Sequence, residues 1–75
     1  MDTATARTIA SGRYGRVELT TVPYMTPGEY LGRVQCLLHV WDPAQQAFLL
    51  RGYGDSWEDA LVDAARQETE EIAYA

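Results

Sequence analysis

The chain has 75 residues, of which 47% are apolar, and it contains five tyrosines, two tryptophans and one phenylalanine. This length and composition fit one small folded domain and exclude an intrinsically disordered chain, which lacks such apolar content. The net charge of −5 opposes nonspecific binding to nucleic-acid phosphates and suits a cationic partner, although such a charge also serves solubility alone.

Cysteine and histidine each occur once, as Cys36 and His39. An internal disulfide and a histidine-based metal cluster are therefore excluded, so we expect a cytoplasmic protein with no metal and no cofactor. No apolar run is long enough for a signal peptide or a membrane span, so we expect no membrane association.

The N-terminal region differs in character from the rest of the chain. Residues 1–11 are small and polar, and we expect a flexible arm that is disordered or loosely attached as a strand or turn. Residues 12–75 are expected to form a single domain. Its first segment is rich in β-branched and aromatic residues, which predicts a strand that ends before Pro23. The core-facing positions of this strand are Val17, Leu19 and Thr21.

The second predicted strand has the clearest alternation in the chain. Thr26, Pro27 and Gly28 predict a turn, and residues 30–41 follow it as a strand. The positions predicted on its core face are Val34, Cys36, Leu38 and Val40. The positions predicted on its other face are Arg33, Gln35, Leu37, His39 and Trp41.

A third strand follows a polar connection. Residues 42–46 begin with Asp-Pro and predict a turn, so residues 47–53 are interpreted as a strand. Bulky residues stay on the core side if Val40 pairs with Phe48 and Leu38 pairs with Leu50. The opposite side of this strand then carries Leu49, Arg51 and Tyr53.

The C-terminal segment has a helical pattern. Ser56 and Asp59 match a capping box in which Asp replaces the usual Glu or Gln, so a helix begins there. Its apolar stripe, which is expected to cover the sheet, consists of Trp57, Ala60, Leu61, Ala64 and Ala65. Its far side carries Asp59, Asp63, Arg66 and Glu70. The predicted fold class is α+β, a three-stranded antiparallel sheet packed by one C-terminal helix in the order β-β-β-α.

The sheet face away from this helix is predicted to be unusually apolar and aromatic. A solvent-facing sheet surface is normally more polar, and Trp, Tyr and Arg often anchor interfaces. The face is therefore interpreted as a homodimer seam, a site for another protein or a site for single-stranded nucleic acid, unless the N-terminal arm or a different strand register covers it. Its predicted members are Arg16, Arg33, Leu37, His39, Trp41, Leu49, Arg51 and Tyr53.

The helix is rich in carboxylates, and only Arg66 opposes them. Acidic residues near the start of a helix interact favourably with the helix macrodipole. Most acidic helix faces are simply exposed to solvent. Spaced carboxylates can also imitate phosphates and occupy the basic groove of a nucleic-acid-binding protein. This interpretation predicts a small acidic inhibitor of a protein with a basic surface, such as a phage-encoded anti-defence or anti-CRISPR-like protein or an antitoxin. The charged candidates for partner contact are Asp59, Asp63 and Glu70.

Catalysis is not expected. Cys36 and His39 differ in strand parity and point to opposite faces, and Asp59 and Asp63 lie on a helix surface that offers no cleft to raise a carboxylate pKa. The Gly-Tyr-Gly sequence at residues 52–54 lacks the following glycine and lysine of a phosphate-binding loop, so we interpret its glycines as residues of a turn.

Residues 52–64, Gly-Tyr-Gly-Asp-Ser-Trp-Glu-Asp-Ala-Leu-Val-Asp-Ala, resemble the strand-to-helix passage of HicB-type antitoxins. There a glycine, a short polar step, an acidic pair and an alanine open the helix. The resemblance implies a β-β-β-α partial RNase H-like module that neutralises a small basic toxin, often as an oligomer. The order of elements also resembles the double-stranded-RNA-binding fold without its first helix, although no basic residues open the helix here. The alternative to the inhibitor is a small nucleic-acid-binding protein that uses Arg33, Arg51 and the aromatic side chains.

Overall fold

The computed structural model describes residues 1–23 and 33–74, with side chains as far as residue 67. Three strands form one antiparallel sheet and lie side by side in chain order, which confirms the α+β class with a C-terminal helix. The predicted turn at residues 26–28 lies outside the described residues. In chain order the elements are α1 (Thr3–Tyr14), β1 (Val17–Pro23), β2 (Val34–Asp42), β3 (Ala47–Gly54) and α2 (Trp57–Tyr74).

The N-terminal segment is a capped helix, which corrects the expectation of a flexible arm over residues 1–11. The side chain of Asp2 accepts a hydrogen bond of 2.7 Å from the backbone N–H of Thr5, as an N-cap does. The helix ends at Gly15, whose φ of 81° suits glycine and whose N–H donates to the Ser11 carbonyl at 2.9 Å. Both ends of α1 are therefore specified by local sequence.

Helix α1 packs on the sheet through alanines. Ala6 and Ala10 lie one turn apart on the same side of the helix, and both are fully buried. Ala6 contacts the cluster around Cys36, and Ala10 contacts the cluster around Leu38. These two residues of β2 are buried on the predicted core face, which is confirmed here. Small side chains let α1 approach the sheet closely.

Both helices cover the same face of the sheet. Helix α2 buries four of the five residues of its predicted apolar stripe against the residues of β2 that α1 also contacts, whereas the fifth, Ala65, is exposed and its predicted place in the stripe is wrong. The indole N–H of Trp57 in α2 donates to the hydroxyl of Thr3 in α1 at 3.0 Å and joins the two helices. The order of elements is thus α-β-β-β-α, and neither helix carries, within its described residues, an apolar stretch long enough to cross a membrane.

The buried core uses mostly small residues. Among the described residues, four of its eight apolar members are alanine and one is cysteine. Most of the large apolar side chains of the sheet therefore lie outside this core. The buried apolar residues are Ala6, Ala10, Cys36, Leu38, Trp57, Ala60, Leu61 and Ala64.

Two glycines of β3 allow α2 to lie close against the sheet. A Cβ atom at Gly52 would sit 2.3 Å from the carbonyl oxygen of Ala60 and 2.7 Å from the backbone nitrogen of Ala64. A Cβ atom at Gly54 would sit 2.5 Å from that of Asp59. Both glycines lie within a strand and make room for the helix, so their interpretation as residues of a turn is wrong.

A β-bulge in β3 changes the predicted pairing. Leu38 pairs with Gly52 and His39 pairs with Leu50, so Arg51 has no opposite residue in β2. Val40 pairs with Leu49. The predicted pairs of Val40 with Phe48 and of Leu38 with Leu50 are therefore wrong, because one extra residue reverses the side-chain parity of the preceding part of the strand.

Candidate binding face of the sheet

The surface of interest is the sheet face turned away from both helices, which we call the outer face. Leu37, His39 and Trp41 of β2 lie there, as predicted, because Cys36 and Leu38 alternate with them on the helix side. The strand register adds Glu18, Phe48, Leu50 and Tyr53 to this face. Neither helix covers it, and α1 lies on the opposite face, so the alternative that the N-terminal arm covers the outer face is wrong.

Two predicted members of the outer face lie elsewhere because of the bulge. Leu49 pairs with Val40 on the helix side of the sheet. The guanidinium of Arg51 lies 5.8 Å from the ring centroid of Tyr14, which packs in the core cluster that α1 and α2 share. Leu49 and Arg51 are therefore corrected to the helix side.

Phe48 and Leu50 take the places on the outer face that Leu49 and Arg51 were predicted to hold. Phe48 contacts Trp41 edge to face, with ring centroids 5.2 Å apart and planes at 68°. Leu50 is 49% exposed and Tyr53 is 48% exposed. Sequence reasoning missed Phe48 and Leu50, although Gly52 inside a strand was the signal that a bulge was near.

Arginine meets the aromatic side chains at one end of the outer face. The guanidinium of Arg16 lies 4.5 Å from the Trp41 ring centroid and 5.4 Å from that of Phe48, as a cation–π pair does. The Arg16 carbonyl also accepts the Trp41 backbone N–H at 2.9 Å, which fixes the two residues side by side. Arg33, by contrast, lies 3.9 Å from the carboxylate of Asp55 in an exposed ion pair.

Asp63 is structural rather than a free surface charge, which corrects its predicted position on the exposed side of α2. It is only 9% exposed. One carboxylate oxygen accepts the Tyr53 backbone N–H at 3.1 Å and the Gln67 amide at 3.0 Å, and the other accepts from Arg66 at 2.6 Å. Burial acts to raise the pKa of Asp63, but the hydrogen bonds from Arg66 and Tyr53 hold the pKa below its usual range.

The other two predicted charged contacts differ in what the structure describes. Asp59 is exposed in the first turn of α2, where its N–H donates to the Ser56 hydroxyl at 3.2 Å and confirms the predicted cap. Glu70 belongs to α2, but its side chain lies outside the described residues. Glu58 at the start of α2 forms an ion pair of 2.8 Å with the amino group of Met1, which holds the pKa of Glu58 below its usual range.

Nucleophile and base candidates are kept apart by the sheet. Cys36 is buried in the core, and burial raises the pKa of its thiol, with the charges of Asp55 and Glu58 acting in the same direction. His39 lies on the outer face, where its buried Nδ1 has no hydrogen-bond partner among the described residues. Within the same residues, no group of three or more His, Cys, Asp or Glu side chains is placed to hold a metal ion.

The fold and this face define an α+β domain with a two-helix layer on one side of a sheet and an apolar, aromatic surface on the other. Comparison with known proteins gave no match to this chain among family models, curated proteins or solved structures. The chemistry of the outer face therefore carries the functional argument.

Proposed function

We propose that this chain is a non-enzymatic protein-binding module whose contact surface is the outer face of the sheet. The observation that carries the proposal is the distribution of large apolar side chains. Trp41, Phe48, Leu50 and Tyr53 lie on the face that neither helix covers, whereas half of the buried apolar residues that the structure describes are alanines. Of these four, Leu50 and Tyr53 are exposed and Trp41 and Phe48 are partly buried, and an uncovered sheet face that gathers large aromatic and aliphatic side chains is typical of protein interfaces.

The outer face suits a protein better than a small ligand because it is a sheet surface with aromatic anchors rather than a closed cleft. Trp41 is held from two sides, by the edge-to-face contact with Phe48 and by the guanidinium of Arg16. An anchor that is already fixed loses little conformational entropy when a partner covers it. This arrangement supports tight contact at the Arg16 end of the face.

A partner with a basic surface is the form of this proposal that the charge supports. The net charge of −5 steers a cationic partner toward the chain over about a Debye length. Asp59 remains an exposed carboxylate beside β3, on the helix side of the sheet, and adds to this charge. An acidic inhibitor, including an anti-CRISPR-like or antitoxin-like protein, would act by occupying such a partner.

The alternative of single-stranded nucleic acid binding rests on the stack of Arg16 on Trp41. The other two arginines proposed for that role are engaged elsewhere, because Arg33 faces Asp55 and Arg51 packs over Tyr14. Acidic residues, rather than basic ones, also open α2. We therefore expect no binding of a fluorescent oligonucleotide by anisotropy at about 150 mM salt, and salt-sensitive binding lost in Arg16→Ala would favour the alternative.

Affinity capture with matched variants tests the proposal. The tethered chain is exposed to a cell extract, and captured proteins are cross-linked and identified by mass spectrometry. Leu50→Glu places a charge on the outer face, and Val62→Glu places the same charge on α2, where Val62 is 67% exposed. The proposal predicts a protein captured by the wild type and Val62→Glu and lost in Leu50→Glu, with cross-links near β2 and β3.

The opposite pattern would contradict the proposal. A protein captured equally by Leu50→Glu but lost in Val62→Glu would place the contact on the helices. Circular dichroism of each variant separates loss of binding from loss of fold.

A further inference from the structure

The charged and apolar residues of the outer face form two neighbouring rows that run across the strands. One row holds Arg16, Trp41 and Phe48, which are joined by the Arg16–Trp41 backbone bond and by strand pairing. The next row holds Glu18, His39 and Leu50, which pair directly across β1, β2 and β3. Neighbouring rows on one sheet face lie about 6.6 Å apart.

We infer that the occupant of the outer face is a second copy of this chain, bound in an isologous face-to-face dimer. The inference rests on the proposed function because it uses the same face for protein contact, but it places a second copy of the chain there rather than a partner with a basic surface. The two-fold axis lies between the sheets, parallel to the two rows and midway between them. Each row of one copy then lies over the other row of the second copy.

This axis makes the face complementary to itself. Arg16 meets Glu18 of the second copy, and Phe48 meets Leu50 of the second copy. Trp41 lies over the imidazole of His39 of the second copy. An axis shifted by half a row spacing, so that it lies on the second row, would instead place Glu18 on Glu18, and the charge order favours the first arrangement over that one. Glu18 lies on the edge strand β1 and Arg16 directly precedes that strand, so both charges are at the rim of the face. The large apolar side chains lie on β2 and β3.

The size of the face determines how strong the dimer is. Three strands of about eight residues cover roughly 14 Å by 25 Å, a flat area of about 350 Å². This footprint is below the ~800 Å² per partner of a standard interface, so we expect a weak and reversible dimer.

Sedimentation velocity over a concentration series tests the inference. The wild-type chain is expected to shift from monomer to dimer between about 1 µM and about 500 µM. Leu50→Glu raises the dissociation constant about 30-fold or more because it buries a charge, whereas Val62→Glu leaves the constant unchanged. The dimer persists from about 50 mM to about 500 mM salt, whereas binding to a basic protein weakens over that range.

A charge swap tests the row arrangement itself. Glu18→Arg places arginine against Arg16 of the second copy and is expected to raise the dissociation constant about tenfold. Arg16→Glu combined with Glu18→Arg restores the opposite-charge pair and returns the constant to within about threefold of the wild type.

Three results would overturn the inference. The first is a monomeric mass at every protein and salt concentration. The second is a dimer that Leu50→Glu leaves intact, and the third is a double variant whose dissociation constant is no lower than that of Glu18→Arg alone. The first result leaves the proposed function standing, because capture of a different protein through the outer face is measured independently.

Discussion

The carboxylate of Asp63 in α2 accepts the backbone N–H of Tyr53 in β3 at 3.1 Å, so a helix side chain satisfies a donor of an edge strand. Arg66 and Gln67 hold the same carboxylate in place. Edge strands with free donors invite pairing with other chains, and this contact removes one such donor. The Tyr53 N–H is therefore not available to pair with a strand of another chain.

Asp63→Asn is expected to lower the free energy of unfolding by about 1–2 kcal/mol, because the amide keeps one acceptor but loses the charged bond to Arg66. Urea unfolding followed by circular dichroism measures the change. Asp59→Asn is the matched control on the same helix, and its exposed side chain predicts a change within about 0.5 kcal/mol. Equal effects of the two substitutions would show that Asp63 has no special structural role.

The stabilising effect of Asp63 is expected to depend on pH. Its folded pKa is lowered, so its contribution is fully present above its unfolded value of about 3.9 and is lost as pH falls through the folded pKa. The difference in unfolding free energy between wild type and Asp63→Asn should be constant above about pH 5 and shrink below pH ~4. A difference that stays constant down to pH ~2 would contradict the lowered pKa.

Gly52→Ala is expected to destabilise the fold by about 3 kcal/mol, because the new methyl group would meet the backbone of α2. Gly12→Ala is the matched control within α1, where a Cβ meets nothing within 4 Å. Removing a glycine from a helix interior stabilises it by about 0.5–1 kcal/mol. Thermal unfolding should therefore move the two midpoints in opposite directions, and a tolerated Gly52→Ala would mean that α2 does not approach β3 so closely.

Arg51→Ala and Arg33→Ala separate a packed arginine from an exposed one. Arg51→Ala removes the contact with Tyr14 and should cost about 1 kcal/mol in unfolding free energy. The ion pair of Arg33 with Asp55 is solvent exposed, so its loss should change stability by less than about 0.5 kcal/mol. Chemical denaturation of both variants measures this. A larger effect for Arg33→Ala would indicate that Arg51 does not pack on the helix side.

Strong periodic patterns made much of the sheet and of α2 predictable from the sequence. Alternation in β2 correctly placed Cys36 and Leu38 inside and Trp41 outside, and Ser56 correctly marked the start of α2. Helix α1 was missed because its buried side consists of alanines, which do not stand out as an apolar stripe. Its caps, Asp2 and Gly15, were the available signals.

The sequence predicted that the outer face would be apolar and aromatic, but not which residues of β3 lie on it. Strand parity holds only while pairing is regular, and the bulge at Arg51 exchanged Leu49 for Leu50 on this face. Asp63 was misplaced for a different reason. Helical spacing alone does not reveal that a strand donor lies within reach of a side chain on the polar side.

The two indole N–H groups provide the most direct test of the account. Trp41 lies on the outer face, and Trp57 lies in the core, bonded to Thr3. In nitrogen-15 NMR spectra of the chain at increasing concentration, or with a captured partner protein, we predict that the Trp41 indole signal shifts while the Trp57 signal stays in place. A shift of the Trp57 signal with no change at Trp41 would contradict binding through the outer face.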